Sequence, residues 1–243
     1  MSEVRVSRES DTKGGDDAGT AVRLVLLGRP GAGKGTQSSR LARHFEIPHV
    51  STGEILRAAV RDETEVGARA RRYMEAGELL PDDVVVAIVA DRLAADSDVI
   101  GGFLLDGFPR TVAQAEALLE VTAPRGVDLV IDLDVPTDVV LGRLAGRRVC
   151  ERCGADFPQS AGGPTPSDRC PRCGAEVAAR GDDTDVTIAR RLDVYESQTA
   201  PVAAWFAERD LLVKVDGVGD PDEVTTRLLR TVERRRQERG TDR

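Results

Sequence analysis

The sequence predicts an α/β fold: a doubly wound parallel sheet of five strands flanked by helices. Five short apolar runs alternate with helical segments, which is typical of parallel strands joined by right-handed crossovers. The first run, 22–28, is apolar apart from Arg23 and ends in a glycine-rich loop, as expected for a strand buried on both faces. The stretch 150–180 breaks the alternation. It holds all four cysteines and four of the twelve prolines, and therefore predicts a small inserted module.

The predicted elements follow one another along the chain. Strands are predicted at 22–28, 48–51, 103–106, 128–135 and 211–216. Helices are predicted from the glycine-rich loop to about residue 45, at 53–62, 64–76 and 81–95, after Thr111, from Pro136, at 183–209 and at the C-terminal end. Pro81 and Pro136 suit the first turn of a helix, because proline lacks the N–H that this turn leaves unpaired. Residues 1–20 are polar and without period, so we expect a disordered N-terminal tail.

Composition excludes several classes of function. The 243-residue chain has a formal charge of −8 and only 3% aromatic residues, so it lacks the positive charge and the stacking rings of a nucleic-acid-binding protein. Its longest apolar run, 84–90, is far shorter than the roughly 20 residues that cross a bilayer. Because its only histidines are His44 and His49, a multi-histidine metal site is excluded. We expect a cytoplasmic protein without nucleic-acid or membrane partners.

A glycine-rich loop, GRPGAGKGT at 28–36, follows the first strand and predicts a phosphate site. Four of its residues lack side chains, so that successive backbone N–H groups can converge on an anion: Gly28, Gly31, Gly33 and Gly35. The next helix directs its positive end to the same place, and Lys34 adds a cation for the phosphates. The generic P-loop has Ser or Thr directly after Lys, whereas here Thr36 comes one residue later. A chance match is the alternative, but the preceding strand and the rarity of lysine argue against it.

Four motifs together resemble adenylate kinases: GRPGAGKGTQ (28–37), STGEILR (51–57), LLDGFPRT (104–111) and GRRVC (146–150). The resemblance extends from Val22 to the C terminus, and DGFPR is more specific than the P-loop. It implies a CORE domain with two mobile inserts, one closing over AMP and one over ATP. The division expected on this basis is a CORE of 21–50, 81–145 and 184–243, an AMP-binding insert at 51–80 and a zinc-binding LID at 146–183.

The implied reaction is the reversible, Mg²⁺-dependent transfer of the terminal phosphoryl group of ATP to AMP, which gives two ADP and serves adenine nucleotide homeostasis. The acceptor is an already anionic phosphate oxygen, so no general base is required. Catalysis then depends on positioning, on fixed cations and on the metal ion. Arginine suits this role because its planar fork binds two phosphate oxygens. Family habit also implies a monomer.

The resemblance assigns roles residue by residue. The predicted catalytic residues are Lys34, Asp106, Arg110, Arg147, Arg180 and Arg191. Asp106 matches the acid that orients Mg²⁺ through water. The predicted ATP-binding residues are Gly31, Ala32, Gly33, Lys34, Gly35, Thr36, Arg143, Arg147, Asp156, Phe157 and Gly219. The predicted AMP-binding residues are Thr52, Arg57, Glu78, Leu79, Leu80, Gly107, Arg110, Gln114, Arg180 and Arg191. Thr52 and Gln114 match positions that favour adenine.

Structural alternatives exist for several of these residues. Each arginine, taken by spacing alone, fits a solvated surface charge or a partner in an i,i+4 ion pair. Thr52 alternatively caps the helix that begins before Glu54, and Asp106 alternatively serves as a turn residue at the end of its strand. Asp182 and Asp183 fit caps of the long helix as well as lid contacts.

The cysteines are spaced as C-x2-C-x16-C-x2-C: Cys150, Cys153, Cys170 and Cys173. Four thiolates at this spacing predict a closed, structural zinc site, which is favoured over an iron–sulfur cluster or, in a cytosolic chain, two disulfides. The metal would replace a core that about thirty residues rich in proline and glycine cannot form. Zinc-bearing lids occur in a branch of adenylate kinases. The lid departs from that pattern between its cysteine pairs, where Phe157 is expected to replace a tyrosine against adenine.

Two other functions compete with this interpretation. One is a P-loop protein whose zinc ribbon binds nucleic acid or another protein, but the net charge and DGFPR argue against it. The other is a nucleoside monophosphate kinase for CMP or UMP. Thr52 argues against the second, since pyrimidine-specific relatives tend to have Ala at this position.

Overall fold

The computed structural model describes residues 22–95, 99–150, 152–153, 155–157, 169–180 and 183–241. The tail predicted at 1–20 lies outside these ranges. Five parallel strands form one sheet, in the order β2-β3-β1-β4-β8. They are β1 (Arg23–Leu27), β2 (His49–Ser51), β3 (Phe103–Asp106), β4 (Leu129–Asp134) and β8 (Leu212–Asp216). The predicted five-stranded parallel sheet is confirmed, with strand boundaries within one residue of the predicted ones at most ends.

Helices connect and flank these strands. They are α1 (Lys34–His44), α2 (Thr52–Arg61), α3 (Glu65–Ala76), α4 (Asp82–Ala95), α5 (Val112–Val121), α6 (Thr137–Ala145), α7 (Asp185–Val194), α8 (Ala200–Ala207) and α9 (Pro221–Thr241). No helix in the described part of the chain is long and apolar enough to span a bilayer.

The inner strands of the sheet, β3, β1 and β4, are buried on both faces, as the apolar character of β1 predicts. Along β1, Leu24 and Leu26 face a layer that includes α1 and α9, whereas Val25 and Leu27 face the opposite layer, which includes α4, α5 and α8. All four side chains are at most 4% exposed. Both core layers therefore hold the carboxyl ends of the parallel strands in fixed positions, where open α/β sheets bind their ligands.

The cysteine-rich module forms a second, antiparallel sheet between α6 and α7. Its strands are β5 (Arg148–Cys150), β6 (Asp156–Phe157) and β7 (Val177–Ala179), in the order β6-β5-β7. A small core of Cys150, Cys170 and Val177 lies beside this sheet. A core of three side chains is too small to stabilise a fold without another link.

Two helix starts differ from the alternatives considered above. Ser51, not Thr52, caps α2: its hydroxyl accepts a hydrogen bond from the N–H of Glu54 at 3.4 Å. Thr184, not an aspartate, caps α7 and accepts from the N–H of Thr187 at 3.2 Å. Asp182 lies outside the described residues. Thr52 and Asp183 are therefore free to make the contacts described below.

The long helix predicted at 183–209 is interrupted. Residues 195–199 form a π-helical turn between α7 and α8, and the N–H of Ala200 bonds to the carbonyl of Tyr195, five residues back. Pro201 follows at once. Proline has no N–H for the carbonyl four residues earlier, and its ring would clash with that carbonyl in a regular α-helix. The wide turn relieves this clash.

Candidate active site and metal centre

One cleft at the carboxyl edge of the sheet collects the predicted nucleotide-binding residues. Among the predicted ATP- and AMP-binding residues whose side chains the structure describes, all but Phe157 line it. Phe157 lies in β6 and packs beside the cysteine cluster. Asp156, in the same strand, pairs with Val149 through its backbone, and its side chain lies outside the described part of the structure. The structure thus brings together residues from 31 to 219, and it does not bring Phe157 to the cleft wall.

The glycine-rich loop adopts a conformation that only glycine allows at two points. Gly31 has φ +84°, and a Cβ there would lie 2.9 Å from the carbonyl oxygen of Val140. Gly33 has φ +98° and directly precedes α1. Both values lie in the left-handed region that side chains disfavour. The N-terminal end of α1, with its unpaired N–H groups, therefore opens into the cleft as an anion site.

Lys34 lies at the centre of this site. Its Nζ donates hydrogen bonds to the carbonyl oxygens of Gly28 at 2.7 Å and Arg29 at 2.9 Å. Burial lowers the pKa of the ammonium group to about 8; Asp106 opposes this shift, and Arg110 and Arg147 add to it. Lys34 is thus a desolvated cation among other cations, and an anion beside it would favour the charged form.

Asp106 ends β3 opposite the loop. A Cβ on Gly35 would lie 3.7 Å from its Oδ2. His49 Nε2 lies 3.6 Å from the same oxygen. Burial raises the pKa of this carboxyl, but the contact with His49 and the charge of Lys34 outweigh burial, so the pKa lies below its usual value. Asp106 is therefore an ionised carboxylate held within the cleft.

The turn after β3 connects two of the predicted AMP-binding residues. The carbonyl of Gly107 accepts hydrogen bonds from Thr52 Oγ1 at 2.9 Å and from Arg110 Nε at 2.8 Å. Gly107 has φ +79°, and a Cβ there would come within 2.9 Å of Thr52 Oγ1 and 3.0 Å of the Arg110 guanidinium. A glycine is required at this position because both contacts crowd it.

Arg110 is held in an electrostatically unfavourable place. Burial lowers the pKa of its guanidinium; Asp106 opposes this, whereas Arg191 and Arg180 lower the pKa further. Its main-chain oxygen accepts a hydrogen bond from Thr199 Oγ1, at 3.0 Å, which ties it to the π-helical turn. Repulsion among these arginines would be relieved by an anion between them.

Arg143, on α6, connects two loops of the cleft. It donates to the carbonyl of Ala32 at 2.9 Å and to that of Gly217 at 3.1 Å, and burial lowers the pKa of its guanidinium. Arg147 lies four residues further along, as the sequence spacing predicts for one helical face. The backbone of Arg147, however, lies beyond the end of α6.

Asp183 holds two of the predicted catalytic arginines. Its carboxylate accepts two hydrogen bonds from Arg147, both at 2.6 Å, and one from Arg191 at 2.8 Å. The Asp183 side chain is only 4% exposed. In this arrangement the Asp183 carboxylate accepts hydrogen bonds from N–H groups that could otherwise donate to a phosphate group.

Sequence reasoning missed contacts that lie beside the cleft. Arg29 bonds to Glu196 at 2.9 Å and lies over the ring of Tyr195, 5.5 Å from its centroid. Asp82 accepts hydrogen bonds from Gln114 and Thr111. The alternation of strands and helices carries no signal for such contacts, since the partners lie about 30 to 170 residues apart.

The four cysteines form the second centre. Their sulfur atoms lie within 4.8 Å of one another, with Cys150 and Cys173 at 3.4 Å and Cys153 and Cys170 at 3.6 Å. Tetrahedral zinc–sulfur bonds of about 2.3 Å place sulfurs roughly 3.8 Å apart, close to these distances. None of the four forms a disulfide. A hydrogen bond from the N–H of Cys153 lowers the pKa of the Cys150 thiol, whereas, against the hydrogen bond from the N–H of Ala175, the contact with Cys150 and burial raise the pKa of the Cys173 thiol. A metal ligand must be a thiolate, so binding of a metal ion would release the protons that this cluster holds.

Comparison with known proteins agrees with this geometry. The family model for adenylate kinase matches residues 26–211. The chain belongs to the adenylate kinase family. It is 46% identical over 213 residues to the adenylate kinase of Caldicellulosiruptor bescii, covering 87% of this chain and 99% of that protein. It is 48% identical over 198 residues to that of Moorella thermoacetica (81% and 91%), and 46% over 214 residues to that of Geobacter sulfurreducens (87% and 98%).

Family membership confirms the prediction of a nucleotide-binding phosphotransferase of the nucleoside monophosphate kinase type. The alternative of a CMP or UMP kinase is not favoured, because relatives that match most of the chain are adenylate kinases. The zinc-ribbon binding protein is not favoured either, since the match spans both the P-loop and the cysteine module. The cysteine cluster itself is consistent with the lid type that carries a metal.

Proposed function

We propose that this adenylate kinase family member catalyses the reversible, Mg²⁺-dependent transfer of the terminal phosphoryl group of ATP to AMP, giving two ADP. One observation carries the proposal. In a chain with a net charge of −8, seven cationic side chains line a single cleft: Lys34, Arg57, Arg110, Arg143, Arg147, Arg180 and Arg191. A cleft with this charge, bounded by an anion-binding loop, suits two polyphosphates that must meet.

The two nucleotides would enter from opposite sides. The loop at 28–36 and Arg143 would hold the phosphates of ATP. Arg57 and Arg110 would hold the phosphate of AMP, and Thr52 and Gln114 would contact its base. Both sets line the same cleft, which supports direct transfer from one nucleotide to the other.

The chemical step would need no proton acceptor, because the attacking phosphate oxygen is already anionic. Lys34 would follow the moving phosphoryl group as charge spreads over its oxygens. Arg180 and Arg191 would hold that group in line between donor and acceptor. Arg147 Nε and Nη2 and Arg191 Nη1 would exchange Asp183 for phosphate oxygens, since these nitrogens donate to Asp183 in the structure.

The position and charge of Asp106 suit the binding of a magnesium ion in the cleft. Asp106 is ionised, buried to 7% exposure and close to the start of α1, so its charge lies where phosphates of ATP would be. Mg²⁺ prefers carboxylate, water and phosphate oxygens. When bound, it would neutralise charge on the β- and γ-phosphates. Asp106 would orient it, through water, and would accept no proton.

The cysteine cluster would hold one structural zinc ion. Four thiolates leave no position for water or substrate, so the metal would stabilise the module without entering the reaction. Among the described residues of the module, the fully buried core is limited to Cys150, Cys170 and Val177, which supports this role.

We also propose the division into a CORE of 21–50, 81–145 and 184–243, an AMP-binding insert at 51–80 and a LID at 146–183. The five-stranded sheet belongs to the first part, helices α2 and α3 to the second and the small antiparallel sheet to the third. A monomeric state and a cytoplasmic location remain predictions.

The decisive experiment is a panel of nucleoside monophosphates with ATP and Mg²⁺, assayed for formation of diphosphates. AMP should be the best acceptor, and the reverse reaction should give ATP from ADP. Two adenosines joined by five phosphates should compete with both substrates, because one cleft holds both. ATP hydrolysis without an acceptor as the only activity would contradict the proposal. A preference for CMP or UMP would establish the alternative specificity.

A further inference from the structure

A network of hydrogen bonds determines which way the Gln114 amide faces. Gln114 Oε1 accepts from the backbone N–H of Arg110 at 2.8 Å, and Gln114 Nε2 donates to Asp82 Oδ1 at 2.6 Å. Asp82 Oδ2 accepts from Thr111 Oγ1 at 2.8 Å. Gln114 is only 1% exposed and lies at the wall of the cleft. Its amide therefore has two fixed partners.

Both partners demand the same orientation of the amide. The Arg110 N–H can only donate, so it requires the amide oxygen. An ionised carboxylate can only accept, so Asp82 requires the amide nitrogen. A reversed amide would place two donors together at Arg110 and two acceptors together at Asp82, and each buried mismatch would leave polar groups unsatisfied.

The atoms left free on Gln114 form a specific pattern. Beyond these two bonds, Oε1 has a second lone pair and Nε2 a second hydrogen, and neither atom has another hydrogen-bond partner among the described residues. This acceptor–donor pair complements an amino group beside an unprotonated ring nitrogen, the pattern by which glutamine reads adenine. A 6-oxopurine presents the reverse pattern, a carbonyl beside an N–H, and would require the reversed amide.

We propose that Asp82 is a specificity-determining positioning residue, which orients the Gln114 amide so that the acceptor site takes 6-aminopurine nucleotides and rejects 6-oxopurine nucleotides. This rests on the proposed function, in which Gln114 contacts the base of AMP. Asp82 is itself held in place. Thr111 binds its second oxygen, and its position as the first residue of α4 favours a carboxylate at the positive end of the helix.

The test compares AMP with inosine monophosphate as acceptors for Asp82→Ala and the unaltered enzyme. We expect the ratio of kcat/KM for AMP to that for inosine monophosphate to fall about tenfold, the loss typical when one well-formed bidentate base contact is weakened. The KM for ATP should stay unchanged. Asp83→Ala is the matched control, because Asp83 is an exposed carboxylate in the same helical turn.

Three further variants make the result specific. Asp82→Asn, whose Oδ1 can still accept from Gln114 Nε2, should retain most of the selectivity. In a Gln114→Ala background, Asp82→Ala should change the ratio little, because Asp82 acts through Gln114. Asp82→Ser, which is too short to reach Gln114 but suits the helix start, repeats the test if Asp82→Ala does not fold.

The outcomes separate the inference from the proposed function. An unaltered enzyme that does not phosphorylate AMP would overturn the proposed function. An enzyme that does so, but whose base selectivity is the same in Asp82→Ala or Asp82→Ser, would overturn the inference alone. An equal loss with both acceptors, or an undiminished effect in the Gln114→Ala background, would also overturn it.

Discussion

Replacing Asp183 by asparagine should destabilise the free enzyme, and should destabilise it less once nucleotide is bound. Asp183 accepts three charge-assisted hydrogen bonds from Arg147 and Arg191, and its side chain is 4% exposed. Asparagine has the same shape but one acceptor oxygen, so an NH₂ group would face a guanidinium and two partly buried cations, 20% and 17% exposed, would lose their counter-charge. Removing one partner of a buried charge pair costs about 3–5 kcal/mol.

The lower end of that range applies, because asparagine keeps one acceptor. At roughly 2–4 °C per kcal/mol for a chain of this size, a loss of about 3 kcal/mol lowers the Tm by about 6–12 °C. Two adenosines joined by five phosphates should narrow the difference, since their phosphates would bind the released arginines. Thermal melts with and without this ligand measure both effects.

Asp185→Asn is the control for this experiment. Asp185 is an exposed carboxylate in the first turn of α7, two residues away, and should change the Tm by less than about 2 °C. An Asp183→Asn enzyme that melts like the unaltered one would refute the reasoning. So would a deficit of the same size in the presence and absence of the ligand, because the arginines would then not be shared between Asp183 and phosphate.

Three further predictions concern Lys34 and the cysteines. Lys34→Met should lower turnover by about 10²-fold or more, with little change in Tm, because it removes the cation that follows the transition-state charge. Lys214→Met, at a largely exposed lysine, is the control. Activity retained by Lys34→Met would count against the role of the P-loop. The pKa of Lys34 is about 8 without ligand, and bound phosphates would raise it. ATP binding above pH 8 should therefore take up protons, and the affinity for ATP should fall as the pH rises further. Calorimetry in buffers of different ionisation enthalpy measures this proton uptake, which should vanish in Lys34→Met. The unaltered protein should hold about one zinc ion per chain by elemental analysis, and Cys150→Ser should lose it. The variant should have a lower Tm but keep much of its activity at low temperature. If chelation abolished the activity and left the melting curve unchanged, a structural role for the metal would be contradicted.

The elements that could be predicted from the sequence are those marked by a simple local pattern of residues. Four of the five strands were predicted from short, largely apolar runs, at 22–28, 103–106, 128–135 and 211–216. Pro136 lies directly before α6, and the cysteine spacing was enough to locate a four-sulfur cluster. Such signals are local, and they depend on few residues.

The contacts that organise the cleft carry no local signal. Asp82, three residues after Leu79, looked like the start of a helix, and its role towards Gln114 depends on the packing of α4 against α5. Asp183 looked like a cap, but Thr184 performs that task and leaves the carboxylate to the arginines. Phe157 was expected against adenine, yet it packs beside the sulfur cluster, because β6 pairs with β5.

The π-helical turn at 195–199 has a consequence for how the chain tolerates changes in length. Thr199 reaches the carbonyl of Arg110 only because the turn contains one residue more than an α-helix would need. Deleting a residue there would rotate the following helix by about 100° relative to α7 and carry the hydroxyl away from Arg110. Substitutions at the exposed positions Glu196 and Ser197 should be accepted far more easily than any deletion. At the exposed positions of this segment, the number of residues matters more than their identity.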